Sequence, residues 1–522
     1  MDTWKIYSQA LEQYKAGNYD AALKILDDLK RLAPDYRKAY SLEVCIWEKL
    51  DNPLKEFYAL EKMLPMFDLS LPEEKKFAAD ALSRMANDLS ALFMPEETIK
   101  FLRAAAAIST DNVTACAKLS TAIFVACCIE NFLVEDFRAL YDDYKKHLAD
   151  ITPYPRKFYN HDKIRVGYLS ADFNHHPVMN WSWSLITGLD KNSFRVYCYS
   201  STKNFDVITN HLRKTVDGWR DISTLTDAQA AEVIRDDEID ILFDLSSHTA
   251  GNRLRVAAYR PASVQVSGIG FINSTGLECF DYYLSDVHCA GNSADYFVEK
   301  LIVLPHSHIC YEPSTVLEIS EPPCLSKSFV TFGSFNNFGK VTDSILRVWK
   351  KILDAVPNSR LILKHKVLDK SNKRKLVGER LKRIGFDLSR IEMRGYTANH
   401  LADYADVDIA LDTFPYTGCV TTCEALFMGV PVVSLYGGQN SSRLGLSMLK
   451  NVGLDELAVD NVGDYIQRAV MLAGDRELLN DLRKNLRGMM KRSPLMNSAS
   501  YLRDVQEAFK KILRDERLNG DF

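Results

Sequence analysis

The chain has 522 residues, 47% of them apolar and 26% charged, and a formal net charge of −4. This usage excludes a fibrous repeat or extensive disorder, and the near-neutral balance gives no global attraction to nucleic acid or an anionic membrane. The length divides into about three domains of roughly 100 to 200 residues.

The start, "MDTWKIYSQALEQYKAGNYD", has no basic segment followed by an apolar core, and no run reaches about 18 apolar residues. A cytoplasmic chain without a membrane span is expected. The eleven cysteines are scattered, several of them (Cys116, Cys127, Cys128) in apolar helical text, as suits buried free thiols. His306, His308 and Cys310 alternate in "HSHIC", and Cys419 and Cys423 are four apart. No second ligand pair completes a zinc signature, so no metal site is predicted.

Residues 1–155 read as helices with amphipathic periods and turns such as "KAGNYD" and "RLAPDY". In "YSQALEQYKAGNYDAALKILDDLKRLAP", Tyr14, Gly17, Tyr19, Ala22 and Pro34 fall at tetratricopeptide spacings, where small residues let two helices approach. Weaker echoes follow, predicting three or four degenerate repeats that bury their apolar faces by stacking. A plain helical bundle is the alternative.

From about 160 the text changes. "KIRVGYLSAD", "FRVYCYSS", "IDILFDLSS", "SVQVSGIGF" and "KLIVLPHS" are β-rich runs set between helical segments, predicting a parallel sheet wrapped by helices over 160–312. Residues 313–328, rich in proline, read as a linker. The alternation restarts over 329–495 with "FVTFGSFN", "SRLILKH", "IEMRGY", "VDIALDT" and "PVVSLYGG", and 496–522 closes the chain as a helix. Two such domains in tandem turn the carboxyl ends of their strands toward a shared cleft.

The strand end "VDIALDT" leads through "PYTGCVTT" into the helix "CEALFMG", gathering backbone N–H groups and the hydroxyls of Thr421 and Thr422 at a positive helix end. That suits a phosphate; an ordinary capped helix is the plainer reading. Glu424 reads as a first-turn acid able to accept from a ribose diol. Lys340, after the first strand of the same domain, can offset diphosphate charge without a metal. His175 and His176 follow the first strand of the other domain. Asp244, His248 and Arg253 follow another of its strands, and His400 precedes the phosphate turn. Each of these also has a structural reading as a satisfied loop or helix residue.

Six motifs in order, "DFNHHP", "DLSSHTAGNRLRVAAYRPASVQVS", "EKLIVLPHS", "FGSFNNFGKV", "LDTFPYTGCVTTCEALFMGVPVV" and "SSRLGLSMLKNVGLDELA", resemble the catalytic region of the O-GlcNAc transferase family, notably its bacterial tetratricopeptide-containing members, over about residues 160 to 510. The resemblance implies an α/β GT-B fold of two Rossmann-like domains behind a helical repeat domain. It also implies inverting, metal-independent transfer of a sugar from a UDP-sugar, expected to be UDP-GlcNAc, to Ser or Thr of a protein. No cofactor beyond the donor substrate is expected.

By the same resemblance His176 is the cleft histidine near the donor, Lys340 the essential lysine on the diphosphate, and Asn337 a nucleotide neighbour. His400 lies beside the nucleoside, Thr421 and Thr422 on the phosphates, and Glu424 on the ribose. The sequence does not single out the general base: His176, Asp244 and His248 are candidates on the acceptor side in that order, and a donor phosphate oxygen is the alternative. The helical repeats are expected to engage the protein acceptor, in bacteria a surface protein such as flagellin or an adhesin. Departures from the family pattern are "SGIGFINSTG", which lacks a tryptophan and a proline found beside the sugar, Glu424 in place of an aspartate, and Asp403 in place of an arginine beside the base. They keep open a GT-B transferase using another nucleotide sugar or a non-protein acceptor. The non-enzymatic alternative is a repeat scaffold with an inactive transferase domain.

Overall fold

The computed structural model describes residues 2–291 and 293–519. It divides into two compact units, Met1–Ile129 and Glu130–Phe522.

Among the described residues, the first unit holds seven α-helices: Thr3–Lys15, Tyr19–Leu32, Arg37–Lys49, Pro53–Met63, Pro72–Ala91, Pro95–Ala107 and Asn112–Ala126. Local chemistry sets many of the ends. Three helices begin on proline, where the missing N–H costs nothing. Asp111 caps the last one through the N–H of Thr114 at 2.7 Å. Gly17 takes φ +79° in the first turn. Fully buried Ala10, Ala22 and Ala39 let the first three helices close onto Leu26, Leu29 and Ile46. Small residues at helix contacts give the tetratricopeptide-like pairing that the spacing predicts.

The second unit is built on two all-parallel sheets. Strands β1 (Ile164–Ser170), β2 (Phe194–Ser200), β3 (Gly218–Asp221), β4 (Ile241–Asp244), β5 (Val264–Ser267), β6 (Tyr282–Asp286) and β7 (Lys300–Leu304) form the first, in the order β3-β2-β1-β4-β5-β6-β7. Strands β8 (Val330–Ser334), β9 (Ser359–Lys364), β10 (Ile391–Arg394), β11 (Ile409–Leu411), β12 (Val432–Leu435) and β13 (Ala458–Val459) form the second, in the order β10-β9-β8-β11-β12-β13. Both sheets are covered by helices on two faces, so strands such as β4, β5 and β8 are buried at every position. β3, β6 and β13 lack the apolar runs that mark the other strands in the sequence. β3, "GWRD", joins by backbone pairing to β2 at the sheet edge.

Helix Val134–Lys146, which reads in the sequence as part of the repeats, packs within the second unit: the hydroxyl of Tyr141 donates to Ser274 O at 3.2 Å. The chain between the sheets carries a single 3-10 turn, Pro323–Leu325. The final helix, Ser498–Asn519, returns to the first sheet. There Phe509 packs on Phe243, and Glu516 binds Tyr282 Oη at 2.8 Å, Lys300 at 3.0 Å and Arg156 at 2.9 Å.

The two sheet domains meet along a polar seam. Ser285 donates to Asn440 Oδ1 at 3.2 Å, and Arg443 reaches His288 O at 2.9 Å. Buried Asp286 accepts from His308 Nδ1 at 2.6 Å and Ser447 Oγ at 2.8 Å. Burial alone would raise the Asp286 carboxyl; the His308 ring and the surrounding N–H groups overcome this and hold it at about 2.

Candidate active site

In the second sheet the strand order reverses between β8 and β11, the position at which open parallel sheets of this kind bind ligands. Buried Asp412, one residue past β11, organises the turn that follows. Its carboxylate accepts from the N–H of Thr413 at 2.8 Å and of Gly418 at 2.6 Å, and from Ser434 Oγ at 2.7 Å. Burial pushes the Asp412 carboxyl up, and these donors and Lys340 oppose that push. The chain then enters helix Val420–Phe427, with no side-chain cap at Cys419 and no acid in its first turn. Its leading N–H groups therefore carry the positive end of the helix dipole.

Gly418 is required by close approach. A Cβ there would lie 2.5 Å from Thr422 Oγ1, 2.8 Å from Thr421 Oγ1 and 2.9 Å from Asp412 Oδ1. From the β8 side, Asn336 receives Thr421 Oγ1 at 3.0 Å and contacts Asp412 Oδ1 at 3.4 Å. Lys340, in the 3-10 turn Phe338–Lys340, donates to Thr417 O at 3.0 Å with its ammonium 3.5 Å from the centre of the Tyr416 ring. Lys340, Thr421 and Thr422 thus share one turn. The sequence favours Asn337 beside them, but Asn337 is exposed and spends its side chain on Gly339 N at 3.0 Å. Its neighbour Asn336 makes the contact instead. Alternation along a strand end puts one of two adjacent asparagines inward, and "FNN" does not say which.

A second pair adjoins this turn. His400 Nε2 lies 2.8 Å from Glu424 Oε1. Glu424 is buried and falls in the second turn of its helix, one turn later than the sequence suggests, while the His400 side chain is 46% exposed. Tyr404 Oη donates to Thr421 O at 3.0 Å, tying the 3-10 segment His400–Asp406 to the turn after β11. Asp403 is already engaged by Lys364, by Thr397 Oγ1 at 2.6 Å and by Arg394 at 3.3 Å. Partial burial raises its carboxyl, but these partners outweigh that and hold it below the usual range.

The first sheet reverses its order between β1 and β4. The loop after β1 carries His176, whose Nδ1 accepts from Val178 N at 3.3 Å and lies 3.8 Å from Asp172. Burial lowers the His176 pKa, with Asp172 opposing. His175 and His176 line a cavity of about 160 Å³ with helix Met179–Thr187 and Glu312.

The loop after β4 corrects the sequence reading. Asp244 is wholly buried and caps its own turn, accepting from Ser247 N at 2.7 Å, Ser246 N at 3.3 Å and Ser267 Oγ at 3.1 Å. Burial moves its carboxyl to about 6. His248, 2% exposed, donates from Nε2 to Thr275 O at 2.8 Å and packs against Tyr144 and Phe271, with burial lowering its pKa to about 4. Both residues lie buried beneath the loop. Arg253 likewise pairs with Asp227 at 3.0 Å.

Asp286, Cys289 and His308 bring ligand atoms within 4.8 Å of one another in the seam, the one such cluster among the described residues. Both carboxylate oxygens of Asp286 are already occupied: one by the N–H groups of His288 and Cys289, the other by His308 and Ser447. The cluster is a structural joint between the domains.

The pattern of glycosyl transferase family 41 matches residues 146–318 and 313–505. The chain is 38% identical over 358 residues to a tomato (Solanum lycopersicum) protein described as a probable UDP-N-acetylglucosamine–peptide N-acetylglucosaminyltransferase SPINDLY, covering 67% of this chain and 38% of that protein. It is 27% identical over 366 residues to the Arabidopsis thaliana protein SEC, described in the same terms, covering 67% of this chain and 37% of that one. The chain therefore spans about two fifths of the length of these curated relatives. In structure it superposes on a lysine-to-methionine variant of the Thermobaculum terrenum O-GlcNAc transferase with a TM-score of 0.81 and 30% identity, over 99% of this chain and 98% of that one. The two-sheet GT-B architecture and the helical unit are common to both. With the family pattern covering well over half of its length, the chain belongs to glycosyl transferase family 41, the O-GlcNAc transferase family.

Proposed function

We propose that this protein is a cytoplasmic, inverting, metal-independent glycosyltransferase that moves GlcNAc from UDP-GlcNAc to Ser or Thr hydroxyls of a protein. The observation that carries this reading is the turn in which Lys340, Thr421, Thr422 and the open start of helix Val420–Phe427 converge at the reversal point of the second sheet. A lysine and uncapped N–H groups at one point form a cradle for a diphosphate. In transfer, the acceptor oxygen forms a bond to the anomeric carbon from one side while the bond to the β-phosphate oxygen breaks on the other. The electron pair leaves on UDP. Lys340 and the helix end meet that growing charge, so they lower the barrier more than they tighten ground-state binding. Being cationic already, they supply this stabilisation without a metal.

Glu424, oriented by His400, is the ribose acceptor, and Asn337 flanks the nucleotide from solvent. His176 takes the acceptor proton; burial moves its pKa downward, the direction that favours the neutral ring a base requires. The helical unit recruits the protein substrate, in bacteria a surface protein such as flagellin or an adhesin.

A second reading, transfer from another nucleotide sugar or to a non-protein acceptor, is favoured by one feature. The "SGIGFINSTG" segment is buried from Asn273 to Thr275 and pinned by Glu299, which accepts from Ser274 Oγ and Thr275 N, each at 2.7 Å. Intact-mass analysis of acceptor proteins co-expressed with the chain separates the two, because the mass increment identifies the sugar class. No increment on any protein, together with no calorimetric binding of UDP, would leave a repeat scaffold.

A further inference from the structure

The cavity beside His176 runs along helix Met179–Thr187, from which Met179, Asn180 and Trp183 line it. At about 160 Å³ it is roughly half the lower limit of about 300 Å³ typical of small-molecule sites. It has room for one long side chain, not for a nucleotide sugar. Met179, Trp183, Ile208 and Pro313 supply apolar walls.

Glu312 is the only carboxylate among the lining residues, and no lysine or arginine lines the cavity. Its position is fixed twice: its N–H donates to Asn180 O at 2.7 Å, and its Oε1 accepts from Ser184 Oγ. Burial pushes the Glu312 carboxyl up, and no cation offsets this. A partly desolvated carboxylate without a cation, set beside an indole ring, is the complement of an organic cation with an aliphatic stem.

We propose that this cavity is an acceptor-specificity pocket that takes a lysine or arginine side chain of the substrate polypeptide, its stem against Trp183 and Pro313 and its cation on Glu312. The inference rests on the reading of the chain as a protein glycosyltransferase with His176 at the reacting hydroxyl. The basic residue then lies close in sequence to the modified Ser or Thr, because His176 and Glu312 line the same cavity.

Two measurements test it. In the first, the full chain is titrated with Nα-acetyl-lysine amide, Nα-acetyl-arginine amide and the uncharged Nα-acetyl-norleucine amide by ligand-observed NMR, without donor. Both cations should bind at millimolar concentration, and Glu312→Gln, which retains the Ser184 hydrogen bond, should weaken them by about tenfold or more while leaving norleucine unchanged. Trp183→Ala should weaken all three. Equal binding of cations to the parent and to Glu312→Gln, or no binding of either cation, overturns the proposal.

In the second, transfer is followed on Ser-containing peptides with a lysine moved through the flanking positions. One position should lower KM, and Glu312→Gln should erase that advantage with kcat and donor hydrolysis intact. If Glu312→Gln instead lowers kcat equally on lysine-free peptides, the carboxylate is a proton acceptor; if it alters donor hydrolysis, the cavity is a sugar subsite. Either result overturns the proposal. Cation binding that depends on Glu312 in a chain that transfers to no peptide supports the pocket and refutes the transferase reading.

Discussion

Gly418→Ala places a methyl group where three oxygens already converge. The added carbon would stand 2.5 Å from Thr422 Oγ1, 2.8 Å from Thr421 Oγ1 and 2.9 Å from Asp412 Oδ1. Asp412 has no room to yield, because Thr413 N and Gly418 N hold that same oxygen at 2.8 and 2.6 Å. The threonine rotamers must turn instead, and Thr421 then gives up Asn336. Overpacking of this kind costs about 1–3 kcal/mol. Since the strain is relieved at the hydroxyls assigned to the phosphates, most of it should appear as lost affinity, about 5- to 150-fold for UDP at 1.4 kcal/mol per factor of ten. Any remainder should lower the melting temperature by about 2–4 °C per kcal/mol, the scale for domains of roughly 150–250 residues. Calorimetric UDP titration and thermal melting of parent and variant read the two parts separately. Unchanged UDP affinity in a variant that melts several degrees lower would mean that the methyl is absorbed elsewhere and that the threonines are not phosphate ligands.

Lys340→Ala should lower turnover by about 10²- to 10³-fold in a folded protein, the usual loss for one transition-state donor; normal turnover removes it from the mechanism. Truncation before residue 130 should preserve donor hydrolysis and reduce transfer to protein. Truncation at 150 should also destabilise the remaining unit by several kcal/mol, because it removes Tyr141 and Tyr144 from around His248; equal melting of the two truncations refutes this. Buried His248 and Asp244 give opposite pH dependences. His248, at about 4 folded against 6.5 unfolded, contributes stability that is present above pH 6.5 and lost as pH falls toward 4. Asp244, at about 6 against 3.8, costs stability as pH rises from 3.8 to 6. Each amounts to about 3 kcal/mol at 1.36 kcal/mol per pH unit. As pH rises from about 4 to 6, the stability of His248→Gln should therefore fall relative to the parent and that of Asp244→Asn should rise relative to it, in urea titrations; parallel curves for parent and variants refute the burial argument.

Much of this protein is local chemistry. Most of the parallel strands announce themselves as apolar runs because both faces of each sheet are covered, and the turn after β11 is legible because strand end, glycine and threonine pair follow within a few residues. The placement of Lys340 and His176 at the carboxyl edge follows from their position after the first strand of each domain, since strand direction alone sends both loops there. What the chain order could not decide is which side of a loop is dry. His248 looks like a site residue until helix Val134–Lys146, about a hundred positions earlier, lays Tyr141 and Tyr144 against it, and Asp244 until Ser267 arrives from β5 to meet it. The inward asparagine is Asn336 because Thr421 and Asp412 arrive from β11 to meet it. Glu312 acquires its isolation only where the chain after β7 crosses helix Met179–Thr187. Burial is a property of distant segments brought together, and it decides the ionisation and reach of each polar side chain; the sequence names the candidates, and the packing selects among them.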